Sequence, residues 1–87
     1  MLFKHKRSET EIIHSILSLA QSGAKKTHIM YKTNMSYNLF IEYLDFLLEK
    51  NLVERKMPNP SDGTIYKITE KGRKLLESIN SALECLE

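Results

Sequence analysis

GAKKTHIMYKTNMSYNLFIEYLDFLLEK, residues 23–50, is the stretch on which the fold turns. It holds two helix signals with almost nothing between them. Thr27 can cap a short helix that runs to about Thr33 and buries Ile29, Met30 and Tyr31. Asn34 is the only break before Ser36, a second capping residue, and the helix that follows runs about Tyr37–Lys50. Leu39, Phe40, Tyr43, Leu44, Leu47 and Leu48 give it a wide apolar stripe, with Leu39, Tyr43, Leu44 and Leu47 expected to face inward. Asn51 then stands where a left-handed residue ends the helix, a conformation Asn tolerates second only to Gly.

Toward the N-terminus, Ser8 and Thr10 offer caps ahead of Ile12, Ile13, Ile16, Leu17 and Ala20. That spacing predicts a first helix over about Glu9–Gln21, stopped by Ser22-Gly23. Ala24-Lys25-Lys26 reads as a short extended connector. Toward the C-terminus, Leu52–Met57 and Thr64–Ile68 read as two strands around Pro58-Asn59-Pro60-Ser61-Asp62-Gly63, a run of turn formers. Tyr66 and Ile68 share the face that points to the core. Thr69 caps a last helix. The order is three helices, a hairpin and a helix, mainly α with a β-hairpin wing. Two short helices joined by a tight turn and followed by a hairpin make a winged helix-turn-helix. The expected layout is a basic arm over 1–8, that domain over 9–69, and a dimerisation helix over 70–87.

Gly23-Ala24-Lys25-Lys26-Thr27, Ile29-Met30-Tyr31-Lys32 and Met35-Ser36-Tyr37 carry a family resemblance. It continues through Leu39, Tyr43-Leu44, Leu47 and Leu52-Val53, and closes on Tyr66-Lys67-Ile68-Thr69-Glu70-Lys71-Gly72. The chain resembles the small archaeal winged helix-turn-helix DNA-binding proteins, including chromatin-associated dimers whose last helix forms an antiparallel coiled coil. Asn51 departs from the pattern, since such proteins often carry Gly there. The resemblance implies double-stranded DNA binding, and fixes neither a target sequence nor a choice between transcriptional regulator and chromatin-associated protein.

Composition is consistent with this. Eighty-seven residues make one domain with a thin core. The hydrophobic fraction of 41% and charged fraction of 28% are those of an ordinary globular protein rather than a disordered one. Net charge is only +2, but six of the thirteen basic residues lie in residues 1–34 against Glu9 and Glu11 alone. A basic end fits a phosphate-facing surface, and fits equally a solvated tail with ordinary surface lysines. Lys4-His5-Lys6-Arg7 is open to the same two readings.

On the third helix, Ser36, Tyr37, Asn38 and Ile41 lie away from the core with Glu42 and Asp45. Ser36, Tyr37 and Asn38 sit at the N-terminal end that a recognition helix presents to base edges. No Lys or Arg precedes Lys50 there, so readout of guanine by Arg is unavailable. Affinity is then expected from phosphate contacts by Lys25, Lys26, Thr27, His28 and Lys32, with Arg55, Lys56 and Lys67 adding contacts from the wing.

In the last helix, Leu76, Ile79, Leu83 and Leu86 step by 3, 4 and 3, the alternation of a coiled-coil seam. The first turns are expected to complete the core, and Ile79, Leu83 and Leu86 to pair with a second chain. The seam is short, so Leu2, Phe3 or Phe46 are candidates to extend it.

His5, His14, His28 and Cys85 form no metal spacing, and there is no phosphate loop and no nucleophile beside a base. No enzyme activity, metal, cofactor or small-molecule substrate is expected. No stretch is apolar enough to span a membrane, and a single cysteine suits a reducing compartment. The expected location is cytoplasmic, on the nucleoid. The rival class is a winged-helix module that docks proteins in a transcription or repair complex, a use the acidic third helix suits.

Overall fold

The computed structural model describes residues 9–86. Its elements are α1 (Glu9–Leu19), β1 (Ala24–Lys25), α2 (Lys26–Thr33), α3 (Tyr37–Glu49), β2 (Val53–Lys56), a 3-10 turn (Pro60–Asp62), β3 (Ile65–Ile68) and α4 (Glu70–Leu86). The helix order and the hairpin follow the sequence reading. The sheet has one strand more than expected. Ala24-Lys25, read as a connector, is the edge strand of a three-stranded antiparallel sheet in the order β1-β3-β2. It pairs Ala24 with Tyr66 and Lys25 with Ile65. Two residues are too few to show alternation, and the pairing comes from tertiary context rather than local pattern.

The core is assembled from one face of each helix and the inner face of the sheet. Ile16, Leu17, Ala20, Ile29, Phe40 and Leu47 are fully enclosed, and Leu44, Val53, Tyr66, Ile68 and Leu76 close around them. Tyr66 and Ile68 face inward as the strand alternation requires. Leu39 does not. It is 39% exposed, and Phe40 takes the inward place. At about 3.6 residues per turn, Phe40, Leu44 and Leu47 form one narrow stripe, and Leu39 lies on its flank. Tyr31, expected inside, is 83% exposed. The buried pair on α2 is Ile29 and Thr33, one turn apart, and Tyr31 lies on the opposite side.

Capping fixes the joints. Asn51 is left-handed with φ 62, as expected, and hands the chain from α3 to β2. Thr69 caps α4: its hydroxyl donates to the Asn51 carbonyl at 2.7 Å and accepts from the Gly72 N–H at 3.0 Å. Thr69 N–H donates to the Leu52 carbonyl at 3.1 Å, and Lys71 Nζ donates to the Lys50 carbonyl at 2.9 Å. The end of α3 and the start of α4 are thus tied together. Gly72 is required by that closeness, since a Cβ there would run into the Leu52 carbonyl oxygen and come within 2.8 Å of the Ile68 side chain.

Helix α4 then runs along α1, with His14 Nε2 and Asn80 Oδ1 hydrogen-bonded at 2.7 Å. This changes the expected seam. Leu76 and Ile79 are 3% and 8% exposed within one chain, so they have little surface to give a partner. A short core recruits the nearest apolar turns of α4 first. Leu83 is half-buried and Leu86 is 80% exposed. Leu2 and Phe3, and the basic arm over residues 1–8, lie outside the described residues.

Candidate nucleic-acid interface

Helices α2 and α3 are joined by Asn34-Met35-Ser36 alone. Asn34 adopts the left-handed conformation, φ 54 and ψ 43, and its N–H donates to the Tyr31 carbonyl at 3.2 Å. Thr33, buried, donates its hydroxyl to the Ile29 and Met30 carbonyls of its own helix at 2.8 and 3.1 Å. Ser36 caps α3 as expected, accepting the Leu39 N–H at 3.3 Å. Helix α2 starts two residues before the sequence reading placed it. Its cap position is Lys25, which makes no side-chain cap bond, and Thr27 lies inside the helix.

The expected contact residues fall into three groups. Lys25, Thr27 and His28 come together around one shallow basin on α2, and Tyr31, which sequence reasoning assigned to the core, forms its remaining wall. The signal for Tyr31 was present in the spacing of Ile29 and Thr33, which leaves position 31 outward. Lys32 is exposed in the last turn of the same helix. The second group is the first turn of α3. Ser36, Tyr37 and Asn38 are exposed, Tyr37 by 57%, and Ile41 is half-buried behind them. Lys26 connects these two groups: its Nζ stands 5.9 Å from the centroid of the Tyr37 ring, within cation–π range.

The third group is the wing, and it is less uniform. Lys56 Nζ lies 3.7 Å from the Glu54 carboxylate, and Lys67 is directly across the ladder from Glu54. Glu54 therefore offsets Lys56 directly and faces Lys67 across the ladder. Arg55, exposed and opposite Tyr66, has no ion pair among the described residues. The wing tip is held by Asn59, whose Oδ1 accepts from the Ser61 N–H and hydroxyl at 3.2 and 2.9 Å.

Past its first turn, the outer side of α3 is acidic: Glu42, Asp45 and Glu49 are all exposed. Among the described residues there is no cluster of His, Cys, Asp or Glu placed to hold a metal, and no helix long and apolar enough to cross a membrane. Cys85 is exposed near the end of α4.

Two helices held by a three-residue turn, the second followed by a hairpin, form a helix-turn-helix with a wing. The family model for winged helix-turn-helix proteins matches residues 6–87, and the chain belongs to that family. It is 31% identical over 84 residues to the uncharacterized protein MJ0287 of Methanocaldococcus jannaschii, covering 95% of this chain and 80% of that one. A second protein of that organism, uncharacterized MJ0290, is 33% identical over 82 residues, or 93% of this chain and 36% of its own length. Among solved structures, Sso10a-2, a DNA-binding protein from Sulfolobus solfataricus, superposes with a TM-score of 0.76 at 30% identity, covering 91% of this chain and 81% of that one. Sco5413, a MarR family transcriptional regulator from Streptomyces coelicolor, shares the fold at a TM-score of 0.72 and 24% identity, over 85% of this chain and 54% of its own.

Proposed function

We propose that this chain binds double-stranded DNA as a homodimer, as a transcriptional regulator or chromatin-associated protein of the nucleoid. The observation that carries the reading is the meeting of Lys25, Thr27, His28 and Tyr31 around one basin, beside the exposed first turn of α3. Cations and hydroxyls there suit phosphate oxygens, while Tyr37 and Asn38 project where base edges would lie. The likeness to Sso10a-2 supports the same reading. With no cation on α3 before Lys50, base readout is limited to what Asn38, Tyr37 and Ile41 can supply, namely adenine and thymine methyl groups. Specificity is correspondingly weak.

The homodimer reading rests on the distal end of α4, where Leu83 and Leu86 offer apolar surface that the chain itself does not cover. Replacing both with Lys should yield a monomer by sedimentation. An unchanged mass would remove α4 from the interface.

Titration of purified protein against random duplex at several salt concentrations tests the DNA reading. A steep fall of affinity with salt is expected. Footprinting then separates a regulator, which protects discrete sites, from an architectural protein, which coats. A protein-docking module is the second reading, favoured by the acidic outer side of α3. It predicts no DNA binding above background.

A further inference from the structure

Lys26 stands apart from the other cations of its neighbourhood. Lys25 and His28 are exposed and line the basin, and Lys32 is exposed in the last turn of α2. Lys26 is half-buried and is not part of the basin wall. It opens α2, where the helix macrodipole disfavours a cation, and no acidic residue of that turn offsets it. It makes no ion pair among the described residues. What its ammonium faces is the ring of Tyr37, with Nζ 5.9 Å from the centroid.

Tyr37 has the complementary need. It opens α3 on the far side of the Asn34-Met35-Ser36 turn, and it is 57% exposed. A ring so exposed has little packing to hold it in one rotamer, and ordering it on binding costs conformational entropy. Long side chains on a helix lean back toward its N-terminal end. Tyr37 therefore leans over the turn, and Lys26 meets it there. A cation over an aromatic face is attracted by the ring quadrupole, and an exposed pair of this kind shifts an equilibrium by about two- to fivefold.

We propose that Lys26 is a positioning residue for Tyr37. Its ammonium holds the ring across the turn, so that the phenol is set for the duplex before binding. On the DNA reading, on which this rests, Lys25 and Lys32 supply attraction that is indifferent to sequence. Lys26 instead sets the preference that Tyr37 gives to the first turn of α3.

The contact itself is read without DNA. In NMR spectra of the free protein, the Lys26 ε-methylene protons should lie upfield of ordinary lysine values through the Tyr37 ring current, and Tyr37→Leu should return them. Unshifted protons overturn the proposal. Binding is then compared between the duplex most enriched by selection from a random pool and the unselected pool. Lys26→Met keeps the length of the side chain and removes its charge. It should lower the ratio of the two affinities by about two- to fivefold, and reduce the salt slope by less than Lys25→Ala does. Lys26→Arg, which returns a cation to the ring, should restore the ratio. In a Tyr37→Leu background, Lys26→Met should leave the ratio where it is. If Lys26→Met weakens both bindings equally and takes about one from the slope, Lys26 is a phosphate contact, and the proposal falls while the DNA reading stands. A native protein that enriches no duplex also overturns it, since Tyr37 then reads nothing. If the native protein binds no duplex above background, the DNA reading itself fails and the proposal with it.

Discussion

Helix α2 buries Ile29 and Thr33 and turns His28, Tyr31 and Lys32 to solvent, whereas α3 buries Phe40, Leu44 and Leu47 and turns Glu42, Asp45 and Glu49 outward. Three residues separate them. The first helix has a thin grip on the core and a basic outer side. The second has a deep grip and an acidic one. In a helix-turn-helix that inserts one helix into a groove, the usual expectation puts cations on the inserted helix. On the proposed DNA reading, attraction and insertion belong to different helices. Helix α2 can draw phosphate, and α3 can present only its first turn before its carboxylates begin. The difference teaches that charge summed over the motif says little, and that its division between the two helices decides what the motif can read.

The sharpest way to break this comparison is to empty the core grip of α3 and set that loss beside a change on the outer side of α2. Phe40→Ala empties the centre of the core and should cost about 3–5 kcal/mol, against a total that for a small domain is only about 5–15 kcal/mol. Tyr31→Ala, at a surface position of α2, should stay within about 0.5 kcal/mol. Urea unfolding followed by circular dichroism measures both. Equal midpoints would mean that α3 does not anchor the motif.

The joint comes next. Asn34 is left-handed between the two helices, a conformation that costs a residue with an ordinary side chain about 1–2 kcal/mol. Asn34→Ala should lose an amount of that order, and Asn34→Gly should not. Loss of stability in both variants would point to the Asn side chain rather than to its backbone.

Much of this was legible in the residues, for physical reasons. The 3.6-residue spacing of Ile12, Ile16 and Leu17 gave α1, Ser36 and Thr69 marked helix starts, and Asn51 marked an end, because each is a local rule satisfied by its own neighbours. What escaped depends on distant partners. Strand β1 exists because β3 lies beside it, and Gly72 is Gly because the Leu52 carbonyl presses on it. Ile79 was read as an interface residue because a stripe on α4 does not say whether α1 or a second chain covers it. That Lys25, Thr27 and His28 lie close together was legible from their adjacency in sequence. Tyr31 was missed because it was counted with the apolar residues rather than placed on the helix by the Ile29–Thr33 spacing.

Binding sharpens the comparison further. Lys25→Ala and Lys32→Ala should each reduce the slope of log affinity against log salt by about one, uniformly across sequences, as expected for a lost phosphate contact. Lys56→Ala should do less, because Glu54 already offsets that charge at 3.7 Å. A wing variant that outweighs the α2 variants would move the phosphate contacts from α2 to the wing.

The smallest effect is expected from neutralising the outer side of α3, and it has the opposite sign. Asp45→Asn and Glu49→Gln remove two exposed carboxylates without touching the buried stripe of Phe40, Leu44 and Leu47. Neither residue makes an ion pair among the described residues, so the change acts only through the field that an approaching duplex meets. Exposed charges interact by about 0.2–1 kcal/mol, and the Debye length falls from about 10 Å at 0.1 M salt to about 3 Å at 1 M. Affinity for random duplex should therefore rise by about fivefold at most, and only at low salt, converging with the native protein as salt increases. The salt slope itself should change little, since no phosphate contact is gained. Titrations of the double variant at low and high salt decide it. A gain that persists at high salt would mean a new direct contact rather than relieved repulsion. No gain at any salt would mean that this side of α3 never nears phosphate, and the acidic helix would then favour the docking of a protein.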